Sequence, residues 1–454
     1  MSITSSVGSS NSNIAALGPG IDVQALVTAT LSGDQANITQ LQNRQSSFTS
    51  QVTALQKISA ELTSLQSAAF AIGDPLGGLN ALSVVSSNSS VLSATASASA
   101  LSGTHTIAVT SLATTSSFYS DAVATSTTPL VQATGAFQIS VGGNPPVAID
   151  ITSSNNTLAG LAASINNTPN IGVTASVIND ANGARLALVS STSGVPGNLT
   201  VTGNFHLTDV ANTSVNFHQA IAGLNSSLTV DGVPISTSTN TVSGVINGVT
   251  LNLTSQAPGS TVTLTIAPDV SKASDAINQF VSAYNTVIKD INSQFAVNFD
   301  GSGGGPLEAD GSAREAQSRL LAALTSSITG NNGITSLASL GVNLNNDGTL
   351  SVDATKLTST LSSNSASVQA FLQTPLTGYA TKFASAITNL NSILNLDSQG
   401  ITASSHSLSS QILDLQSALA AREQNLILVY SKVNATLQQL PLLQSQISQQ
   451  LASA

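Results

Sequence analysis

The spacing of apolar residues changes twice along the chain. Ile38, Leu41, Phe48, Val52, Leu55, Leu62, Leu65, Ala69 and Ile72 fall mostly three or four apart, with Gln45 and Ser59 filling two apolar slots. That spacing predicts a helix bearing a coiled-coil or bundle stripe with polar interruptions. Asp74-Pro75 and Gly77-Gly78 predict its end. The period then drops to two, predicting strands within 84–119, 136–141, 148–151, 173–178, 185–190 and 228–266. One helix, "TLAGLAASIN" at 157–166, interrupts them. Helical spacing returns in "ASDAINQFVSAYNTVIKDINSQF" and continues, past a Gly-rich loop at 301–305, to residue 393. A second long stripe closes the chain: Leu408, Ile412, Leu415, Leu419, Leu426, Val429, Val433, Leu437, Leu440, Ile447 and Leu451. Two amphipathic termini of matching character predict that they pair. Pro441, inside the second stripe, predicts a kink or a restart there.

The order helix, β, helix implies a β insertion in a helical domain whose halves are distant in sequence. Within the β part, "TNTVSGVINGVTLNLTSQ" at 239–256 alternates around Asn247-Gly248, a turn dipeptide tolerant of positive φ, and predicts two antiparallel strands.

Composition changes the picture more than length does. Charged residues are 7% of the 454 and aromatics 3%, against about 25% charged in a typical soluble domain. The surface is therefore hydroxyl and amide rather than salt-bridged, and Arg185 is the only Lys or Arg between Lys57 and Lys272. A net charge of -10 repels phosphate backbones and argues against a nucleic-acid partner. Cysteine is absent, which excludes a disulfide framework and thiolate metal sites. No Lys or Arg precedes Arg44, unlike the basic start of a cleavable secretory signal, and the apolar runs are too short for a bilayer span. Two expectations remain open: a cytoplasmic protein, or one leaving by a route that reads an uncleaved, disordered N-terminus. Residues 1–20, rich in Ser, Asn and Gly, fit the second.

Reactive constellations are missing. His105, His206, His218 and His406 lie far apart and outside any metal-ligand spacing, and no GxSxG elbow occurs. "DGSGGG" at 300–305 lacks the alternating oxygen ligands and closing Glu of a calcium loop and reads as a link between helices. "NDGTLSVD" at 346–353 reads as a turn and short strand. The expectation is a non-enzyme without cofactor, metal or catalytic residue.

Several blocks resemble a known family. The run "TVDGVPI", "TNTVSGVINGVTLNLTSQAPGSTVTLTI" and "INQFVSAYNTVIKDI", followed by "GPLEADGSAREAQSRL", "LGVNLNNDGTLSVDATKL" and "VQAFL", is similar to the C-terminal region of flagellar filament cap proteins, the hook-associated proteins of type 2. Upstream, "GIDVQALV" and "SSNSSVLSATASASALSGTHTIAVTSLA" resemble that family's opening, and "TLAGLAASINNTPNIGVTASVINDANGARLALVSSTSG" its hook IN motif. His105 stands where the family usually has an aromatic.

The resemblance implies an α+β multidomain chain with terminal helices in a coiled coil or bundle, a helical leg domain and two nested, discontinuous β-rich head domains. Expected bounds are a disordered export region at 1–36, an N-terminal coiled-coil helix at 37–75, and an inner head at 82–129 and 223–268. The outer head with the IN motif is expected at 130–222, the leg at 269–400 and the C-terminal helix at 401–454. It further implies an extracellular protein at the distal tip of a flagellum, forming a ring with copies of itself and placing flagellin. Hook-filament junction proteins, the export apparatus and an export chaperone are the other implied partners. Interface residues expected along the stripes are Leu41, Phe48, Val52, Leu55, Leu62, Leu65, Leu415, Leu419, Leu426, Val433, Leu437 and Leu440. Another axial protein, such as a hook-filament junction protein, and an extracellular adhesin are the alternatives, and adhesion is also compatible with capping.

Overall fold

The computed structural model describes residues 21–134, 136–203, 206–209, 211–296 and 304–452. The expectation for 1–20 and most of the Gly-rich loop thus lie outside the described residues. The chain divides into two compact units: one holds the chain up to Phe70, Asn278–Asp353 and the chain from Thr374 on, the other Ala71–Ile277 and Ala354–Gln373.

Helix α1 (Val23–Gly73) is followed by β1 (Leu82–Ser86), β2 (Leu92–Ala96) and β3 (Gly103–Ser111). Next come β4 (Thr115–Ser120), β5 (Val131–Thr134), β6 (Ala136–Val141), β7 (Val147–Asp150), α2 (Leu158–Asn166), β8 (Val173–Asp180), β9 (Gly183–Ser193), β10 (Leu199–Thr202), β11 (His206–Thr208) and β12 (Phe217–Ile221). The chain continues with β13 (Ser226–Val230), β14 (Val233–Thr237), β15 (Thr241–Ser243), β16 (Val249–Leu253), β17 (Val262–Pro268) and α3 (Val270–Gln294). It ends with α4 (Gly311–Leu324), β18 (Val342–Leu344), β19 (Leu350–Val352), α5 (Ala354–Ser363), α6 (Ser365–Gln373) and α7 (Tyr379–Ala452).

In the unit that holds the β domains, the strands build two cores among the described residues. In the first, a five-stranded sheet of order β1-β17-β3-β13-β14 and a three-stranded sheet of order β15-β16-β2 bury alternate residues such as Ile107, Val109, Leu251, Leu264 and Ile266. Each sheet mixes strands from before and after the intervening segment, so this domain is discontinuous. The second core lies under the sheet β12-β4-β9-β8 and takes Phe137, Ile139, Leu158, Leu161, Ile165, Leu186 and Leu188. Helix α2 starts where the sequence places it, because Thr157 Oγ1 accepts from Gly160 N–H at 3.0 Å and satisfies one of the free donors of the first turn.

The two cores join at one crossing point. The Thr114 N–H donates to Leu224 O at 2.9 Å, and the Thr114 hydroxyl donates to Ala222 O at 2.7 Å. The neighbouring Ala113 is held by the Asn240 side chain, whose Oδ1 accepts from Ala113 N–H at 2.7 Å and whose Nδ2 donates to Ala113 O at 3.0 Å. Gly194 (φ +76°) passes so close here that a Cβ would meet Ser238 Cα at 2.6 Å.

The helical unit is built around α7. Tyr379 stacks on Phe383 at 5.7 Å between ring centroids, Phe280 meets Phe383 edge-on at 5.2 Å, and the Tyr379 hydroxyl donates to Leu324 O at 3.1 Å. Two of the motifs meet here: Asn285 of "FVSAYN" donates through Nδ2 to Leu350 O at 2.9 Å and accepts at Oδ1 from Leu350 N–H at 2.6 Å, Leu350 lying in "DGTLSVD".

Several expected bounds are corrected. Residues 23–36, expected disordered, begin α1, because Val27 and Leu31 extend the stripe of Ile38 backwards at helical spacing and are buried. The inner head was expected to run to 129, but Thr115–Ser120 pairs with β9 and β12, so the second core begins at β4. Alternation alone carries no mark of which sheet a strand joins. A separate C-terminal helix from 401 is replaced by one helix from Tyr379, and the expected leg loses Ala354–Gln373 to the other unit. There Gln373 Nε2 donates to Asp74 O at 3.1 Å and its Oε1 accepts from Asn80 Nδ2 at 2.8 Å. Helix α7 also runs through Pro441 without restarting; the carbonyl deprived of its donor, that of Leu437, sits on an exposed stretch where water can replace it. The 239–256 strands pair as Thr241–Ser243 with Val249–Leu253, leaving a loop at 244–248 in place of a two-residue turn.

Candidate interaction site on the terminal helices

Helices α1 and α7 run antiparallel, for contacts made by lower residue numbers of α1 fall on higher ones of α7. Ser59 Oγ donates to Asn391 at 3.0 Å, and Gln66 Nε2 donates to Thr388 Oγ1 at 2.6 Å. Further out, Ile38, Leu408 and Ile412 are buried together, with Leu41, Phe48 and Leu419 packed against them. Beyond them, where Val27 and Leu31 of α1 stay buried, polar contacts join the seam. Arg422 Nη1 donates to Asp34 Oδ2 at 2.6 Å, Thr30 Oγ1 and Tyr430 Oη are 3.4 Å apart, and Ile21 N–H donates to Asn434 Oδ1 at 3.1 Å.

The expected interface residues divide into three groups. Leu55, Leu62 and Leu65 are at most 1% exposed. They close the chain's own core and offer nothing to a partner, which corrects their assignment as interface. Leu41, Phe48, Val52, Leu419 and Leu426 are half-buried along the pair. Leu415, Val433, Leu437 and Leu440 are exposed, at 37, 44, 41 and 53%. Beyond Asn434 the exposed row goes on through Ile447 and Leu451, at spacings of three, four and seven, and Leu442 and Leu443 lie beside it. A row this long and apolar suits a helical partner.

Sequence reasoning passed over Ile58, fully buried beside the stripe, and it read Ser59 as an interruption where the structure gives it a bond to Asn391. The histidines are placed as follows. His105 Nδ1 is 2.7 Å from Asp231 Oδ2, and His218 Nε2 is 2.8 Å from Asp121 Oδ1. The His105 hydrogen bond, with another from Thr106 N–H, holds the Asp231 carboxyl below its usual range. Burial pushes Asp121 up, but bonds from Asn216 and His218 together bring it below that range. His406 lines a polar groove of about 450 Å³ with Gln56, Ser398 and Thr402, and the side chain of His206 lies outside the described residues. Among the described residues no helix is long and apolar enough to cross a membrane, and no group of three potential ligands could hold a metal ion.

Residues 19–116 match the family model described as flagellar hook-associated protein 2 N-terminus, and residues 223–449 match its C-terminus counterpart. The stretch between the two matches is nearly the segment β4 to β12. The B-type flagellar hook-associated protein 2 of Pseudomonas aeruginosa is 31% identical over 443 residues, covering 92% of this chain and 93% of the relative. Flagellar hook-associated protein 2 of Escherichia coli K12 is 30% identical over 399 residues, covering 82% and 83%. Among solved structures, the D1-D2-D3 domains of the flagellar cap protein FliD from Escherichia coli superpose with a TM-score of 0.59 at 31% identity, covering 77% of this chain and 99% of that one.

Proposed function

The chain belongs to the flagellar hook-associated protein 2 family, the filament caps, and from that premise we propose that it sits at the distal filament tip as a ring-like homo-oligomer. There it holds emerging flagellin, lets it fold and insert, and prevents its loss. The observation that carries this reading is the exposed row Val433, Leu437, Leu440, Ile447 and Leu451 on α7. One copy leaves that row open, whereas neighbouring copies or the filament end would cover it. Partners are thus other copies of the chain, flagellin and, on the way out, hook-filament junction proteins, the export apparatus and an export chaperone. The protein works outside the cell, reached through the flagellar export channel.

Mechanically, the task is to hold a surface and then release it. An exposed apolar row on one helix can be covered and uncovered without disturbing the chain's own core, and weaker contacts shorten residence times. No covalent step is needed. A strain lacking the protein tests this: unpolymerised flagellin should collect in its medium and disappear when the gene is restored. Full-length filaments with no leaked flagellin would sink the proposal. Light scattering of the full chain at micromolar concentration tests the ring, which a monomer alone would contradict.

A further inference from the structure

Helices α1 and α3 meet in the helical unit at a place where acid outnumbers base. Lys57 Nζ stands 2.5 Å from Asp290 Oδ1 and 3.7 Å from Glu61 Oε1. The Lys57 side chain is 61% exposed, whereas those of Glu61 and Asp290 are 17% and 9% exposed. The amine therefore reaches in from solvent toward two carboxyl groups that cannot reach out. The second oxygen of each, Glu61 Oε2 and Asp290 Oδ2, is buried with no hydrogen-bond partner among the described residues. Two ionised carboxylates here would leave a net negative charge and two bare acceptors in a poorly solvated contact, a costly arrangement. One added proton cancels the excess charge and turns one acceptor into a donor.

We propose that the buried Glu61 carboxyl holds a proton in the folded chain beside the Lys57–Asp290 pair, so that the α1–α3 contact is a clasp that tightens in acid and loosens in alkali. Burial first, and the Asp290 charge second, raise the Glu61 carboxyl above its ordinary 4.5 despite the opposing pull of Lys57. The other groups facing the two carboxyls do not compensate them. On α7, the residues bonded to this stretch of α1, Thr388 and Asn391, are uncharged, and the next cation of α3, Lys289, acts on Asp347.

The sign follows from the raised value. Above the ordinary carboxylate range the folded chain holds a proton that the unfolded chain has released. Stability from the Glu61 proton is therefore full at low pH and is lost as pH rises through the folded value. Carboxylates held below their usual range, such as Asp231 and Asp347, act in the opposite sense. The clasp needs nothing from the capping role.

Urea unfolding of the full chain from about pH 5 to about pH 8, above the ordinary carboxylate values, tests it. Glu61→Gln should raise the urea midpoint relative to wild type at the alkaline end, with the gain shrinking toward the acid end. Lys57→Met, which removes the opposing charge at an exposed position, should move the wild-type loss of stability to higher pH. The wild-type infrared spectrum should keep a protonated-carboxyl band to higher pH than that of the Glu61→Gln chain. A Glu61→Gln offset equal at every pH, a loss unmoved by Lys57→Met, or a band lost at the same pH in both chains would each overturn the proposal.

Discussion

The Asn166 side chain pairs with the main chain of Ala175 as a neighbouring strand would, Nδ2 donating to the Ala175 carbonyl and Oδ1 accepting from its N–H, both at 2.8 Å. It thereby fastens the end of α2 to β8. Asn240 on Ala113 and Asn285 on Leu350 are the same device at two other places. A chain with 7% charged residues fastens its elements with amides in place of ion pairs.

Replacing Asn166 with Ala leaves both main-chain groups of Ala175, itself 4% exposed, without partners. Buried unsatisfied groups cost about 1–3 kcal/mol each. Asn166→Ala should accordingly lower the urea midpoint of unfolding, and Asn166→Asp, which keeps the acceptor but not the donor, should fall between the two. Equal stability of all three would remove the amide from the account.

Tyr284 is fully buried, its hydroxyl has no hydrogen-bond partner among the described residues, and burial pushes its phenol up to about 12. Tyr284→Phe removes a desolvated group that gains nothing, so stability should hold or rise by roughly 1 kcal/mol. Tyr379→Phe loses the bond to Leu324 O and should fall by about that amount. Calorimetry of both variants separates these signs.

On α7, Val433→Asp together with Leu437→Asp changes positions that are 44% and 41% exposed. Circular dichroism should match wild type while cells carrying the double variant leak flagellin. By contrast Leu62→Ala, at a fully buried position, should destabilise the chain by about 2–5 kcal/mol. Normal retention of flagellin by the double variant would remove this row from the capping surface.

Replacing residues 115–222 with a short Gly/Ser link should leave a soluble chain that keeps the first β core, because Thr114 and Leu224 are already hydrogen-bonded at 2.9 Å. Proteolysis and circular dichroism would read the result. Loss of all soluble protein would mean that the two cores fold only together.

The long periods were legible: helix at both ends, strands between, and α2 to within one residue, because Leu158, Leu161 and Ile165 face one core and Thr157 caps it. What sequence missed was partnership. Thr115–Ser120 alternates like any strand, and only its pairing with β9 assigns it. Leu55 and Leu437 sit in similar stripes, yet one is buried within the chain and the other is exposed, since burial depends on whether a third element lies alongside. Asn166 and Asn285 lie inside recognisable motifs, but in a chain so rich in amides the residue type alone gives no hint of its role.

The crossing at Thr114 and Leu224 has an evolutionary consequence. A segment that leaves and re-enters its host through adjacent residues can be enlarged, trimmed or exchanged while the host sheets keep their register. The two matched family models stop and resume close to those residues, at 116 and 223. Lineages can therefore remodel this cassette at their own pace while the strands that bracket it stay under the constraint of a shared core.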